Sequence, residues 1–299
     1  MESTRDIKRR IKSITNIQQI TRAMEMVAAN RLKKAESRAL SSRPYTQNIT
    51  AILRNLIQTT PEKVHFFEPK KEVKKIMILL ITSDKGLCGA YNTNAIQHAV
   101  RFIKGHPECE INLHLIGKKG NIFFKRRPYT VGEYYKETVE QIGLTSLKGG
   151  EHKIAEIAAR MIEDFEQGNF DEIYLFYTKF KTVMKSDPAR IRLLPLENID
   201  TDSGEAAGKK ALQGDCILEP SSEGIFSKLL PKYLECQLRQ AIFESLTAEF
   251  AARRVAMIAA SENAEEIIDE LTQVYNKARQ EAITKELLEV VSGSEALRS

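Results

Sequence analysis

The chain has 299 residues, 42% hydrophobic and 28% charged, with a formal net charge of +5. That length accommodates one large domain or two ordinary ones, and the composition allows a sizeable core. It excludes a membrane-spanning helix, because no run of about 18 apolar residues occurs, and so weak a net charge does not by itself argue for a nucleic-acid partner.

The opening residues, "MESTRDIKRR", lack the apolar stretch of a signal peptide, and Glu2 and Asp6 suit a transit peptide poorly. The chain is therefore expected to stay in the compartment where it is made. Residues 1–43 contain neither glycine nor proline, and Pro44 is the first of either. An apolar series at Ile7, Ile11, Ile14, Ile17, Ile20, Met24 and Val27 steps by three and four, which predicts a long amphipathic helix.

The middle of the chain holds 14 of the 15 glycines and alternates strand and helix patterns. The continuous Ile/Leu/Met run in 74–84 predicts a buried strand, and 92–104 a helix with Ala95, Ile96 and Ala99 on one face. A second strand is expected over 111–117, a short basic helix over 118–127, and an amphipathic helix over 151–168. Strands follow over 171–180 and 189–196. This order predicts a small α/β domain with at least a partly parallel sheet. The stretch 200–215 is polar and glycine-rich and reads as a loop. Residues 232–292 again lack both glycine and proline, and 61 helical residues would span roughly 90 Å. Helices that long need a partner along their length.

The terminal helices can supply one another. Residues 1–43 carry a net charge of +7 and residues 261–292 one of −5. If the helices are antiparallel and Pro44 and Pro231 mark the same end, residue n lies beside about 275 − n. The basic 5–12 then faces the acidic 263–270, with Ile267, Leu271, Val274 and Ala278 on the partner seam. The heptads read as irregular. Residues from about 275 to 292 are left without an intrachain partner, yet carry Ile283, Leu287, Leu288, Val290 and Val291. Something outside the chain is expected to enclose them.

The stretch "IKRRIKSITNIQQITRAMEMVAANRLKKA" resembles the N-terminal helix of the gamma subunit of bacterial F-type ATP synthases. "AARRVAMIAASENAEEIIDELTQVYNKARQEAITKELLEVVSGSEAL" resembles its C-terminal helix, and "SDKGLCGAYN" the turn after its first central strand. The resemblance implies an antiparallel coiled coil of N- and C-terminal helices plus a central Rossmann-like α/β domain. The corresponding parts are residues 1–60, 61–220 and 221–299. It implies a non-catalytic rotor shaft without cofactor or metal, coupling c-ring rotation to ATP synthesis or hydrolysis. The partners implied are an alpha/beta hexamer around the coiled coil, an epsilon subunit and the c-ring, with no nucleic acid. The location implied is the cytoplasmic face of the plasma membrane, held peripherally through the complex. Met24, Arg253, Gln280, Thr284 and Glu286 match family positions that face beta-subunit catch loops or tune coupling. Arg254 departs from the family, where methionine is frequent.

Other features read as structural. "SDKGLCGAYN" has G-x-x-G only, a tight turn rather than a phosphate cradle. The five histidines show no metal spacing, and Cys88, Cys109, Cys216 and Cys236 form no C-x-x-C pair. "KKGNIFFKRRPY" reads as a solvated face or a subunit contact. The alternative function weighed is a coiled-coil scaffold with an α/β domain, which predicts regular heptads.

Overall fold

The structure, a computed structural model, describes residues 3–59, 66, 72–136, 139, 148–196 and 222–296. The expected domain limits at 60/61 and 220/221, and the polar stretch 200–215, lie outside these. Two helices dominate, α1 (Thr4–Thr59) at the start and a C-terminal helix over Ser222–Ala296. The chain divides into two compact units, Met1–Ala28 with Arg253–Ser299, and Ala29–Ala252.

In the larger unit, β1 (Lys75–Ile81), α2 (Tyr91–Lys104), β2 (Glu110–Ile116), α3 (Lys118–Phe124) and β3 (Thr130–Tyr135) follow in order. They are followed by α4 (Lys148–Glu166), β4 (Glu172–Thr182) and β5 (Lys185–Leu194), and the C-terminal helix is α5. The sheet runs β3-β2-β1-β4-β5. The pairs β1–β2, β2–β3 and β1–β4 are parallel, and β5 is antiparallel to β4. Strand β1 is covered on both faces, as its unbroken apolar run requires. Ile76, Ile78 and Leu80 join a core with Ala95 and Phe102 of α2 and Phe124 of α3. Met77, Leu79 and Ile81 join a second core with Ile154 and Ile157 of α4, Leu53 of α1, and Leu238, Ile242 and Leu246 of α5. Each such side chain, fully buried, contributes about 1.5–3 kcal/mol. The Asp171 carboxylate accepts the N–H groups of Lys74 and Lys75, both at 2.8 Å, which ties the entry of β1 to that of β4.

Strand β3 is not predicted by the sequence, because Gly132 interrupts its pattern. A Cβ there would lie 2.5 Å from Asn112 Oδ1 and 2.8 Å from His114 Nε2, so a close approach to β2 requires the glycine. The expected strand over 74–84 ends earlier, at Ile81, where Thr82 and Ser83 enter the turn.

Two expectations about the long helices are corrected. Pro44 and Pro231 end neither helix; both lie inside one. Packing on either side outweighs the one backbone hydrogen bond that a proline removes. The register also differs. In the smaller unit the Thr21 and Ser261 hydroxyls lie 2.7 Å apart, and in the larger unit the Ser42 hydroxyl donates to Gln240 Oε1. Each pair of numbers totals 282, so residue n lies beside about 282 − n, one heptad from the expected register. The basic 5–12 therefore falls level with 270–277 rather than with the acidic 263–270. Exposed charges are too weak to impose a register against the seam.

That seam is more regular than the apolar series implies. In α1 the buried or half-buried positions include 7, 11, 14, 18, 21, 25, 28, 32, 35 and 39, an unbroken 4-3 spacing. Gln18, Thr21, Glu25 and Ala28 occupy its middle, so hydrophobicity alone hides it. Ile17, Ile20 and Val27, expected inside, are exposed. On α5 the seam is Met257, Ser261, Ala264, Ile268, Leu271, Tyr275 and Ala278, whereas Ile267 and Val274 are exposed.

Candidate functional site

Beyond Ala278, every residue of α5 from 279 to 294 is exposed. The unpaired tip thus begins a few residues later than expected, and Ile283, Leu287, Leu288, Val290 and Val291 lie open on it. Gln280, Thr284 and Glu286 are exposed on the same stretch, and the Thr284 hydroxyl donates to the Gln280 carbonyl at 2.9 Å.

Met24 is half-buried on α1. Arg253 is 8% exposed, although a charge on so long a helix reads as solvated. The register sets Met24 level with residue 258, roughly 8 Å along the axis from Arg253. Gln280 lies roughly 40 Å further along α5. The five residues thus form two groups, Met24 with Arg253 and the three on the tip, rather than one site. Around the first group, Arg22 pairs with Glu265 at 2.9 Å, and Gln18 donates to the same carboxylate at 3.3 Å. Arg254 lies 3.9 Å from Glu25, so the residue that departs from the family has an acidic neighbour on the facing helix.

A second feature lies at the turn after β1. The strand order reverses between β1 and β4, and in doubly wound sheets ligands bind at the carboxyl ends of the strands there. Here α5 fills that place. Cys88 and Tyr91 of the turn pack with Ala248, and the Thr178 N–H donates to Ser245 Oγ at 3.1 Å. Residues 244–251 of α5 are buried without a break, so no face of two helical turns meets solvent. Burial first, and the Glu249 carboxylate second, push the Tyr91 phenol far above its ordinary pKa. The turn itself is held internally. Leu87 and Gly89 adopt φ of 60° and 54°, and Asn92 Oδ1 accepts the Ser83 N–H at 3.0 Å. The signal in the sequence is the run of small residues Ser245, Thr247, Ala248, Ala251 and Ala252, which lets neighbours approach from every side.

Among the described residues, no helix is long and apolar enough to cross a membrane. None of their His, Cys, Asp and Glu side chains form a group of three placed to hold a metal ion.

Long terminal helices paired antiparallel, and a doubly wound domain with a helix in its ligand crevice, define the architecture of a stalk protein. The ATP synthase family model matches residues 3–297. The ATP synthase gamma chain of Heliobacterium modesticaldum is 40% identical over 301 residues, covering 99% of this chain and 100% of that one. The gamma chain of Chlorobaculum parvum is 38% identical over 304 residues, covering 100% of each. Among solved structures, a chain of the Euglena gracilis mitochondrial ATP synthase assembly of OSCP, F1 and c-ring aligns with a TM-score of 0.65 at 19% identity. That alignment covers 98% of this chain and 94% of that one. A chain from the Tetrahymena thermophila mitochondrial central stalk and c-ring aligns at 0.57 and 22% identity, covering 81% and 99%. The chain belongs to the gamma-chain family of ATP synthase, and is a central-stalk component of that complex.

Proposed function

We propose that the chain is the rotating shaft itself, with no active site of its own, coupling c-ring rotation to ATP synthesis or hydrolysis in an alpha/beta hexamer. The observation that carries this reading is the apolar α5 tip left open beyond the last paired position. Such a surface is stable in water only at a cost and fits an apolar bearing around it. The enclosure of residues 244–251 supports the same reading, because a helix gripped on all sides transmits torque instead of turning within its own domain. The 4-3 seam suits a coiled-coil scaffold equally well, but that reading leaves the family membership unexplained. The epsilon subunit and the c-ring are proposed to meet the larger unit, and the complex to lie peripherally at the cytoplasmic face of the plasma membrane. Met24, Arg253, Gln280, Thr284 and Glu286 are proposed as contacts to the beta subunits. Each rotor orientation would then favour different beta conformations, and that coupling is reciprocal.

The test is Gln280→Ala, Thr284→Ala and Glu286→Ala together, in membrane vesicles. These positions are exposed, so assembly by native electrophoresis should hold while ATP-driven proton pumping per ATP falls at least about twofold. Unchanged pumping at unchanged ATP turnover would remove the three residues from the coupling surface. Failure of the wild-type chain to co-purify with an ATP-hydrolysing hexamer would sink the shaft reading as a whole.

A further inference from the structure

Strand β2, EINLHLI, carries a histidine where alternation calls for an apolar side chain. His114 points to the same face as Ile116, the face that α4 covers, and is only 5% exposed. Its neighbour from β1 is Leu79. The Nε2–Cδ2 edge of its ring lies against β3, where a Cβ on Gly132 would stand 2.8 Å from Nε2 and 3.1 Å from Cδ2. The strand pairing slips at this point, since Leu113 faces Val131 but Leu115 faces Tyr134. Strand β3 thus has one residue more than β2 here, a bulge at Gly132 and Glu133 opposite the histidine. Phe170 meets the ring edge-on, and Tyr135 lies on another side. Charged groups face His114 from two elements, Glu133 on β3 and Arg160 and Asp164 on α4. All three are engaged. Glu133 pairs with Arg160, which ties β3 to α4, and is hydrogen-bonded to the Tyr135 phenol. Asp164 accepts the Asn169 amide at 3.0 Å. Strand β3 has six residues and ends the sheet, so it has the least to hold it.

We propose that His114 is a proton-operated catch on strand β3: the neutral ring seals β3 against α4, and a proton taken from solvent opens that edge of the sheet. The imidazolium has no place between Leu79, Phe170 and the bulge unless it draws the Glu133 carboxylate away from Arg160, and that breaks the tie between β3 and α4. Strands β1 and β4 lie inside the sheet and hold. Burial, the largest influence, keeps the ring's pKa below the ordinary value, against the pull of Glu133 and Asp164. An opened edge restores the ordinary value. The catch therefore holds in full above about pH 6.5 and weakens as pH falls towards the buried value, by up to about tenfold per pH unit. Acid would loosen one edge of the domain without unfolding the chain.

Two measurements on the isolated full chain test it, and neither involves rotation, so the outcome is independent of the shaft reading. Hydrogen exchange read by mass spectrometry, corrected for the intrinsic effect of pH, should rise at least about threefold in residues 130–135 between about pH 7.5 and about pH 5.5, and stay level in β1 and β4. His114→Gln keeps a polar side chain there but cannot take the proton, so it should abolish the rise. The second measurement needs no such variant. NMR of the His114 ring should give a midpoint below about 6.5, and Glu133→Gln should lower it further, because the carboxylate that favours the charged ring is gone. A ring that titrates at or above its ordinary value, or is unmoved by Glu133→Gln, would overturn the proposal. So would exchange in 130–135 that ignores pH, that rises equally in His114→Gln, or that rises equally in β1 and β4.

Discussion

Gly117 and Gly168 both hold positive φ, at 97° and 71°, yet they differ in what surrounds them. A Cβ on Gly117 would stand 2.0 Å from the Thr82 carbonyl oxygen, whereas nothing lies within 4 Å of one on Gly168. Gly117→Ala should therefore cost about 3 kcal/mol or more, since backbone must move, and Gly168→Ala only about 1 kcal/mol of conformational strain. Denaturant melts of the two variants check the difference, and equal losses would refute it. His114 is also placed for a measurable effect. It lies against Tyr135 and Phe170, facing Glu133, Asp164 and Arg160. Burial, the largest influence, lowers its pKa below the ordinary 6.5, against the opposing pull of the two carboxylates. His98 shifts the same way, through burial and then Arg190. A lowered folded pKa means that the unfolded chain takes up the proton first. Stability is then fully present above about pH 6.5 and is lost as pH falls from there towards the folded value. Unfolding free energy should decline between about pH 7.5 and about pH 5.5, and His114→Gln should flatten that decline. An unchanged slope in the variant would show that His114 is not a source of it.

At the scale of elements, the register is the sharpest claim. Cysteines at Thr21 and Ser261 should form a disulfide within one chain on mild oxidation, identifiable by peptide mapping, because those hydroxyls already lie 2.7 Å apart. Cysteines at Arg9 and Glu266, the pair that charge favours, should not. The opposite result would restore the register drawn from the prolines. Much of this level is legible in the sequence. The β1 run, the α2 and α4 faces and the β4 and β5 strands follow from side-chain periodicity, which burial enforces directly. The antiparallel pairing follows from helix length and charge. The register does not, because Thr21, Gln18 and Glu25 occupy seam positions where apolar residues are sought, while Ile17 and Ile20 lie outside. Strand β3 is hidden by a glycine needed for close approach. The candidate site rests on family likeness alone. Arg253 looks in sequence like any solvated arginine, and its burial depends on packing that no local pattern records.

For the whole molecule, the informative deletion removes residues after Ala278. Residues 279–294 are exposed, so the shortened chain should fold with a melting temperature within a few degrees of the full one. In the complex, heat stability and proton pumping should fall, read by native electrophoresis and vesicle assays. A chain that cannot fold without the tip would contradict its exposure, and full pumping without it would deny it a bearing role. Ideal helices have about 3.6 residues per turn, so the strict seven-residue repeat from Ile7 to Ala28 bends the two strands of the smaller unit into a left-handed supercoil. Such a rope is chiral, and twist applied to it is not symmetric. Turning its far end counterclockwise, viewed from the base, winds the strands together and presses side chains into already filled spaces. Turning it clockwise opens the winding and draws the same side chains apart. The two senses of rotation therefore meet different torsional springs.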